Sequence, residues 1–187
     1  MIQSLSRQHF NDVIQLGNLV HGAGYLDSHS IELLYEKGIK FGINANFVAY
    51  QAGELIGFRL TYAAGNWQPD HWCTPDAWGI SPSEVCYFKC NTVAEGARGK
   101  GIGGQLLNAS IAAAKLQGAK AGVSHLWKQS PNNSAIRYFG KAGGVLIKEH
   151  PERWNDTKEH PDYICVLCGA DCHCTASEML LTFNSLN

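Results

Sequence analysis

The chain has 187 residues, 45% of them hydrophobic, and sets 15 Lys and Arg against 16 Asp and Glu, a formal net charge of −1. This fits one folded domain with its own core and excludes a wholly disordered chain. Near-neutrality excludes a globally basic nucleic-acid binder, no apolar run reaches the roughly 18 residues of a membrane span, and no apolar signal core follows Met1, so a cytoplasmic protein is expected.

His9 to Val20 places Phe10, Val13, Ile14, Leu16, Leu19 and Val20 at helical spacing. Ser30 to Gly38 reads as a second, short helix after a loop spanning His21 to Asp27. Asn46–Tyr50 and Leu55–Tyr62 read as an antiparallel hairpin. The long connection from Ala63 to Ser83 carries Trp67, His71, Trp72 and Trp78, too aromatic for disorder. It either covers an acceptor site or packs on the sheet. Glu84 to Ala94 is a strand, with Cys86, Phe88 and Cys90 on one face and Tyr87, Lys89 and Asn91 on the other. Ile102 to Gln117 is a helix stopped by Gly118, and Ala121 to Lys128 a further strand. A helix from Ser134 to Ala142 ends at Gly143-Gly144, and Val145–His150 and Tyr163–Leu167 complete the strands. With Ile2 to Leu5 as a first strand, the order is β-α-α-β-β-β-α-β-α-β-β.

The charge is partitioned. Residues 96–148 hold eight Lys or Arg and no acid, whereas the segments before and after carry −4 and −5. A positive block around a glycine loop suits a phosphate-bearing ligand. That loop, Gly99-Lys100-Gly101-Ile102-Gly103-Gly104, literally satisfies the dinucleotide pattern Gly-x-Gly-x-x-Gly. The dinucleotide reading also requires an acid about 20 residues on, and none occurs before Glu149. No Lys-Ser/Thr pair follows to make it a Walker loop.

Val93-Ala-Glu-Gly-Ala-Arg98-Gly-Lys-Gly101-Ile-Gly103 resembles the acetyl-CoA signature of the GNAT acetyltransferases through Arg98, Gly101 and Gly103. Asn132-Asn-Ser-Ala135-Ile-Arg-Tyr138-Phe139-Gly-Lys141-Ala-Gly143-Gly144 resembles the later helix of that family. The resemblance spans about residues 1–167. It implies the α+β GNAT fold: a mixed, mostly antiparallel sheet of about six to seven strands flanked by helices. It implies acetyl transfer from the cosubstrate acetyl-CoA to a small amine or peptide amine, by direct attack in a ternary complex. The implied cofactor contacts are Val93, Arg98, Gly99, Lys100, Gly101, Ile102, Gly103, Gly104, Asn132 and Phe139. Amides from Arg98 to Gly104 would take the pyrophosphate, and an N–H near Val93 the thioester carbonyl.

The family's usual Tyr, which protonates the departing thiolate, aligns with Phe139. Tyr138 is the candidate acid in its place, although neighbouring helix residues point about 100° apart. Gly144 stands where the family usually has Phe, a packing change. Candidates for a general base are Glu84, Glu95 and His125. Glu84 reads more simply as a solvated strand end and His125 as a satisfied strand histidine. Cys90 fits a buried strand residue better than an acyl-carrying nucleophile.

Cys165, Cys168, Cys172 and Cys174 form C-x2-C-x3-C-x-C, with His173 and His160 nearby. Four thiolates suit a structural zinc ion, while free thiols, a redox pair and an iron–sulfur cluster remain alternatives. The chain thus divides into an acetyltransferase domain, 1–163, and a Cys-rich extension, 164–187, packed on it. The extension's segment Ser177 to Phe183 is predicted as a helix that packs on the sheet or on a second copy in a homodimer. Expected partners are CoA and the amine, with neither nucleic acid nor membrane. A catalytically weak CoA-binding module and a zinc-stabilised interaction protein are the alternative readings.

Overall fold

The computed structural model describes residues 1–155 and 162–183; His160 lies outside the described residues. Strand β1 (Ile2–Ser4) precedes helices α1 (Phe10–His21) and α2 (Ser28–Lys37), and a two-stranded ribbon, β2 (Ile39–Lys40) and β3 (Ile43–Asn44), follows. Asp27 starts α2, its carboxylate accepting from the Ser30 amide at 2.7 Å. The hairpin is β4 (Phe47–Gln51) and β5 (Glu54–Tyr62), turning through Ala52 and Gly53, both with positive φ. Then come β6 (Val85–Val93), α3 (Ile102–Leu116), β7 (Ala121–Trp127), α4 (Ser134–Lys141), β8 (Val145–Pro151) and β9 (Thr175–Thr182).

Seven strands make one sheet in the order β1-β4-β5-β6-β7-β9-β8, antiparallel except for β6 and β7. Alternation along β5 sets the layers. Phe58 and Leu60 pack with Val13, Leu16 and Ile31 of α1 and α2, while Gly57 faces Ile102 and Leu106 of α3. On the α3 and α4 face, Phe88, Leu107, Phe139, Met179 and Leu181 form a second core cluster.

Three sequence expectations are corrected. Ser177 to Phe183 is not a helix: Thr175–Thr182 is β9, hydrogen-bonded between β7 and β8. Ala176 to Leu181 is buried throughout, so the strand lacks the polar alternation that distinguishes strand from helix. Tyr163 to Leu167 forms a turn closed by a single bridge from Cys165 to Gly169 rather than a strand. Cys90 does not share a face with Cys86 and Phe88. The β5–β6 register slips between Leu60, opposite Cys90, and Thr61, opposite Phe88, leaving Lys89 as an extra residue. This bulge turns Cys90 to the α1 and α2 side, where it packs by Tyr25.

The long connection from Ala63 to Ser83 packs on the sheet. The Trp67 indole donates to the Val85 carbonyl at 2.8 Å, and Trp78 to the Glu178 carboxylate at 2.8 Å. Among the described residues, no helix is long and apolar enough to cross a membrane.

Candidate active site

Strands β6 and β7 pair in parallel only from Val85–Tyr87 against Ala121–Val123. Beyond that the two strands splay and are joined through side chains, by the Ser124 hydroxyl donating to the Phe88 carbonyl at 2.8 Å and by Tyr87 with His125 at 2.9 Å. Their unpaired edges open a cavity of about 1260 Å³. It is lined by β6 from Tyr87 to Val93, by β7 from Ser124 to Trp127, by the start of α3, and by α4. The α1–α2 loop contributes Tyr25 and Asp27.

The helix start is built from glycine. Gly99 and Gly101 have φ of +77° and +79°, a region that L side chains avoid, and Gly101 caps α3 without a side-chain acceptor. The first amides of α3 therefore have no intrahelical partner and lie at the cavity. Gly103 allows α3 to approach β6, since a Cβ there would come within 2.9 Å of Asn91 Nδ2. Arg98 folds back, its Nε donating to the Val93 carbonyl at 3.2 Å. Ala94 donates its amide to Ile56 of β5, so by strand alternation the Val93 amide points to the opposite, cavity edge.

Asn132 and Asn133, both left-handed, lead into α4, and the Ser130 hydroxyl accepts from the Ala135 amide at 3.1 Å. Tyr138 lines the cavity and Phe139 does not. Phe139 is fully buried against Phe88, and its ring takes the space beside Gly144, where a Cβ would come within 2.3 Å of it. The paired departures at 139 and 144 are thus one packing exchange. The Tyr138 hydroxyl accepts from Arg59 Nη1 at 3.0 Å, and Arg59 itself is buried and stacked on Phe88.

Tyr87 and His125 form a hydrogen-bonded pair in the wall of the same cavity. His125 Nε2 is 2.7 Å from the Trp72 carbonyl, which only accepts, so the proton resides on Nε2. Nδ1 is then the acceptor for the Tyr87 hydroxyl at 2.9 Å. Burial, then the nearby Arg153 charge, lowers the His125 pKa to about 4. Behind it, Glu178 is completely buried and accepts from the Thr74 amide and hydroxyl, Trp78 and His150. Burial alone would raise its pKa, but these hydrogen bonds outweigh that and hold the carboxylate ionised. His21, bonded to the Thr92 hydroxyl at 2.8 Å, is also pushed to about 4, first by burial and then by Arg98. Burial raises the Cys90 thiol, leaving it protonated and poorly nucleophilic.

Both histidines are therefore neutral when folded and titrate near 6.5 when unfolded. The unfolded chain binds more protons between pH 6.5 and 4, so stability is full above that window and falls as the pH drops through it. Each histidine contributes about 3 kcal/mol of that loss. Urea midpoints at pH 7 and pH 4.5 check it: a His125→Gln variant should lose clearly less stability on acidification than the parent.

The cavity gathers most of the sequence-predicted residues. Val93, Arg98, Gly99, Gly101, Ile102, Gly103, Gly104, Asn132, Tyr138 and His125 line it. Lys100 and Phe139 are not in its wall. Glu84 is not in its wall either: it immediately precedes β6, ion-paired with Lys120 and partly exposed. The positive block is likewise only partly at the site. Arg98, Arg137 and Lys141 line the cavity, whereas Lys120 and Lys128 pair with Glu84 and Glu149 on the surface. Tyr87 and Arg59 were missed from the sequence. Cys165, Cys168, Cys172 and Cys174 converge, with all four sulfurs within 4.8 Å of one another, and three of them border the cavity.

Comparison with known proteins agrees with this fold. The chain resembles in structure Ard1 from Thermoplasma volcanium, at 16% identity and a TM-score of 0.68, covering 99% of this chain and 98% of that one. It resembles yncA, a putative acetyltransferase from Salmonella typhimurium solved with its cofactor acetyl-CoA, at 18% identity and a TM-score of 0.66 over 100% and 95% of the two chains. Arabidopsis thaliana Naa50 in complex with the bisubstrate analogue CoA-Ac-MVNAL gives 16% identity, a TM-score of 0.64 and 98% coverage of both chains. Searched by sequence, the curated proteins give no match. The profile of the acetyltransferase (GNAT) family matches residues 13–144, and with a match over most of its length the chain belongs to that family.

Proposed function

We propose that the protein transfers an acetyl group from acetyl-CoA to a primary amine, on a small molecule or a peptide, by direct attack in a ternary complex. The observation that carries this reading is the splayed β6–β7 pair, which brings the glycine-lined start of α3, Tyr138 and the Tyr87–His125 pair to one cavity. The free amides of α3, with Arg98, suit the pyrophosphate, and Arg137 and Lys141 suit the remaining phosphate. The exposed edge of β6 pairs with the pantetheine arm, and the Val93 amide stabilises the oxyanion as the amine adds to the thioester.

As the C–N bond forms, the nitrogen becomes acidic and gives its proton to the Tyr87 oxygen, while the proton of Tyr87 passes to His125 Nδ1. Burial and the Arg153 charge oppose the imidazolium this creates, and the fixed Glu178 carboxylate offsets them in part, so the charge is transient. The C–S bond then breaks, and Tyr138 protonates the thiolate. Because Arg59 donates to the Tyr138 oxygen, the hydroxyl's own proton is left free to point to the leaving sulfur. A thiol of pKa about 8.5 needs little assistance, so Tyr138→Phe is expected to lower kcat only ~10-fold. Glu84→Ala, at the far end of β6, is expected to leave kcat unchanged in the same steady-state assay.

Direct attack is tested by intact-mass measurement after mixing enzyme with acetyl-CoA alone. The protein should carry no acetyl adduct. A labile adduct on Cys90 that is discharged by amine would replace this mechanism with a two-step one.

A further inference from the structure

We propose that Cys165, Cys168, Cys172 and Cys174 bind one Zn²⁺ as a closed tetrathiolate, and that this centre fixes the cavity wall facing the glycine loop. Zinc–thiolate bonds of about 2.3 Å in a tetrahedron place the sulfurs about 3.8 Å apart. Here Cys168 Sγ lies 3.6 Å and Cys165 Sγ 3.9 Å from Cys174 Sγ, and all four fall within 4.8 Å. These separations are far beyond the ~2.05 Å of a disulfide. They converge on a single ion, whereas the cysteines of a larger cluster stand on different irons.

Trp127, Trp154 and Tyr163 pack against Cys165, Cys172 and Cys174 and close the cluster off from the core. The first turn closes through reciprocal Cys165–Gly169 backbone bonds, with Gly169 at φ +76°. Cysteines merely filling a core have no need of four sulfurs meeting at one point. Four ligand positions filled by protein leave none for substrate, so the centre is structural.

The Cys turn is tied to the end of α1. Ile164 donates its amide to the Ala23 carbonyl at 3.0 Å, and the Tyr163 hydroxyl to the His21 carbonyl at 3.1 Å. Gly22 is required there, since a Cβ would sit 1.8 Å from the Ile164 carbonyl oxygen. Trp127 and Trp154, packed on the cysteines, line the cavity beside Tyr25. The ion therefore holds the α1–α2 loop and an aromatic wall in register. That wall faces the acceptor in the acetyl-transfer reading, on which this second part of the proposal rests.

The intact protein, purified from medium containing both zinc and iron, is analysed for metal and then exchanged with Co²⁺. The expected result is one zinc per chain and the visible and near-ultraviolet bands of a tetrahedral cobalt tetrathiolate. A metal-free protein whose cluster thiols react as fast as that of Cys73, or one carrying iron with iron–sulfur absorption, overturns the site. Cys168→Ser, at the exposed corner, should lose the metal, while Cys73→Ser, outside the cluster, keeps it. If Cys168→Ser does not fold, the cobalt spectrum of the unmutated chain decides alone. With the folded variant, KM for the amine should rise at least several-fold while the Kd of acetyl-CoA is retained. An unchanged amine KM in metal-free protein overturns the wall role. Metal content is read without any amine, so its failure is distinct from failure of the acetyl-transfer reading.

Discussion

Tyr87→Phe is expected to lower kcat by ~100-fold or more while leaving the Kd of acetyl-CoA unchanged. The substitution keeps the ring that packs beside Trp67 and Tyr62 and removes only the hydroxyl that joins the cavity to His125. His125 Nδ1 is then left buried without a donor, a stability cost of about 1 kcal/mol. The effect should fall on kcat more than on KM, because the proton moves only as the C–N bond forms. His125→Gln should produce a loss of similar size, and the double variant little more than either single one, since the two residues act in series. A kcat within threefold of the parent for Tyr87→Phe would remove the relay from the mechanism.

The second large effect is on cofactor binding. Gly101→Val should raise the Kd of acetyl-CoA by ~100-fold, equivalent to about 2.7 kcal/mol. Open space surrounds the position, with the nearest atom, Gln105 Nε2, 3.9 Å from a hypothetical Cβ, so the damage comes from the backbone rather than a clash. At φ +79° a β-branched residue is strongly disfavoured, and relaxing the turn moves the first amides of α3 off their common target. Arg98→Glu should give a comparable loss by placing a carboxylate beside the pyrophosphate, with the parent's affinity falling as salt rises. Calorimetric titration with acetyl-CoA reads both. Near-normal affinity in both variants would move the phosphate site elsewhere.

The two motifs around Arg98 and Asn132 were legible because the chemistry demands them: left-handed glycines and a helix start can be written in few ways. The Tyr87–His125 hydrogen bond, on which the proposed relay rests, was not. Tyr87 meets His125 only because β6 and β7 pair in parallel over three residues and then separate, a relation between strands that no local pattern encodes. The signal that could have found it was the helix α3 between two strands, which implies a parallel neighbour and hence the register of Tyr87 opposite Val123. The choice between Tyr138 and Phe139 was hidden for a similar reason. Their order matters only once the Phe139 ring is seen to fill the space against Gly144, leaving Tyr138 for the cavity. The bulge at Lys89 broke the simple alternation that placed Cys90 with Phe88. Strand β9 was misread because burial on both faces erases the period by which strands announce themselves. Glu84 was a candidate by sequence position, yet β6 runs nine residues from it to Val93, which carries it out of reach of the loop.

The central claim is that this cavity moves an acetyl group from acetyl-CoA to an amine. Its most direct test is the release of free CoA thiol from acetyl-CoA, followed over a panel of small amines, amino acids and peptides with free N-termini. The account predicts amine-dependent release with at least one member, an N-acetylated product in equal amount, and loss of that turnover in Tyr87→Phe. Tight acetyl-CoA binding with no amine-dependent release across the panel would contradict it and leave the protein a CoA-binding module.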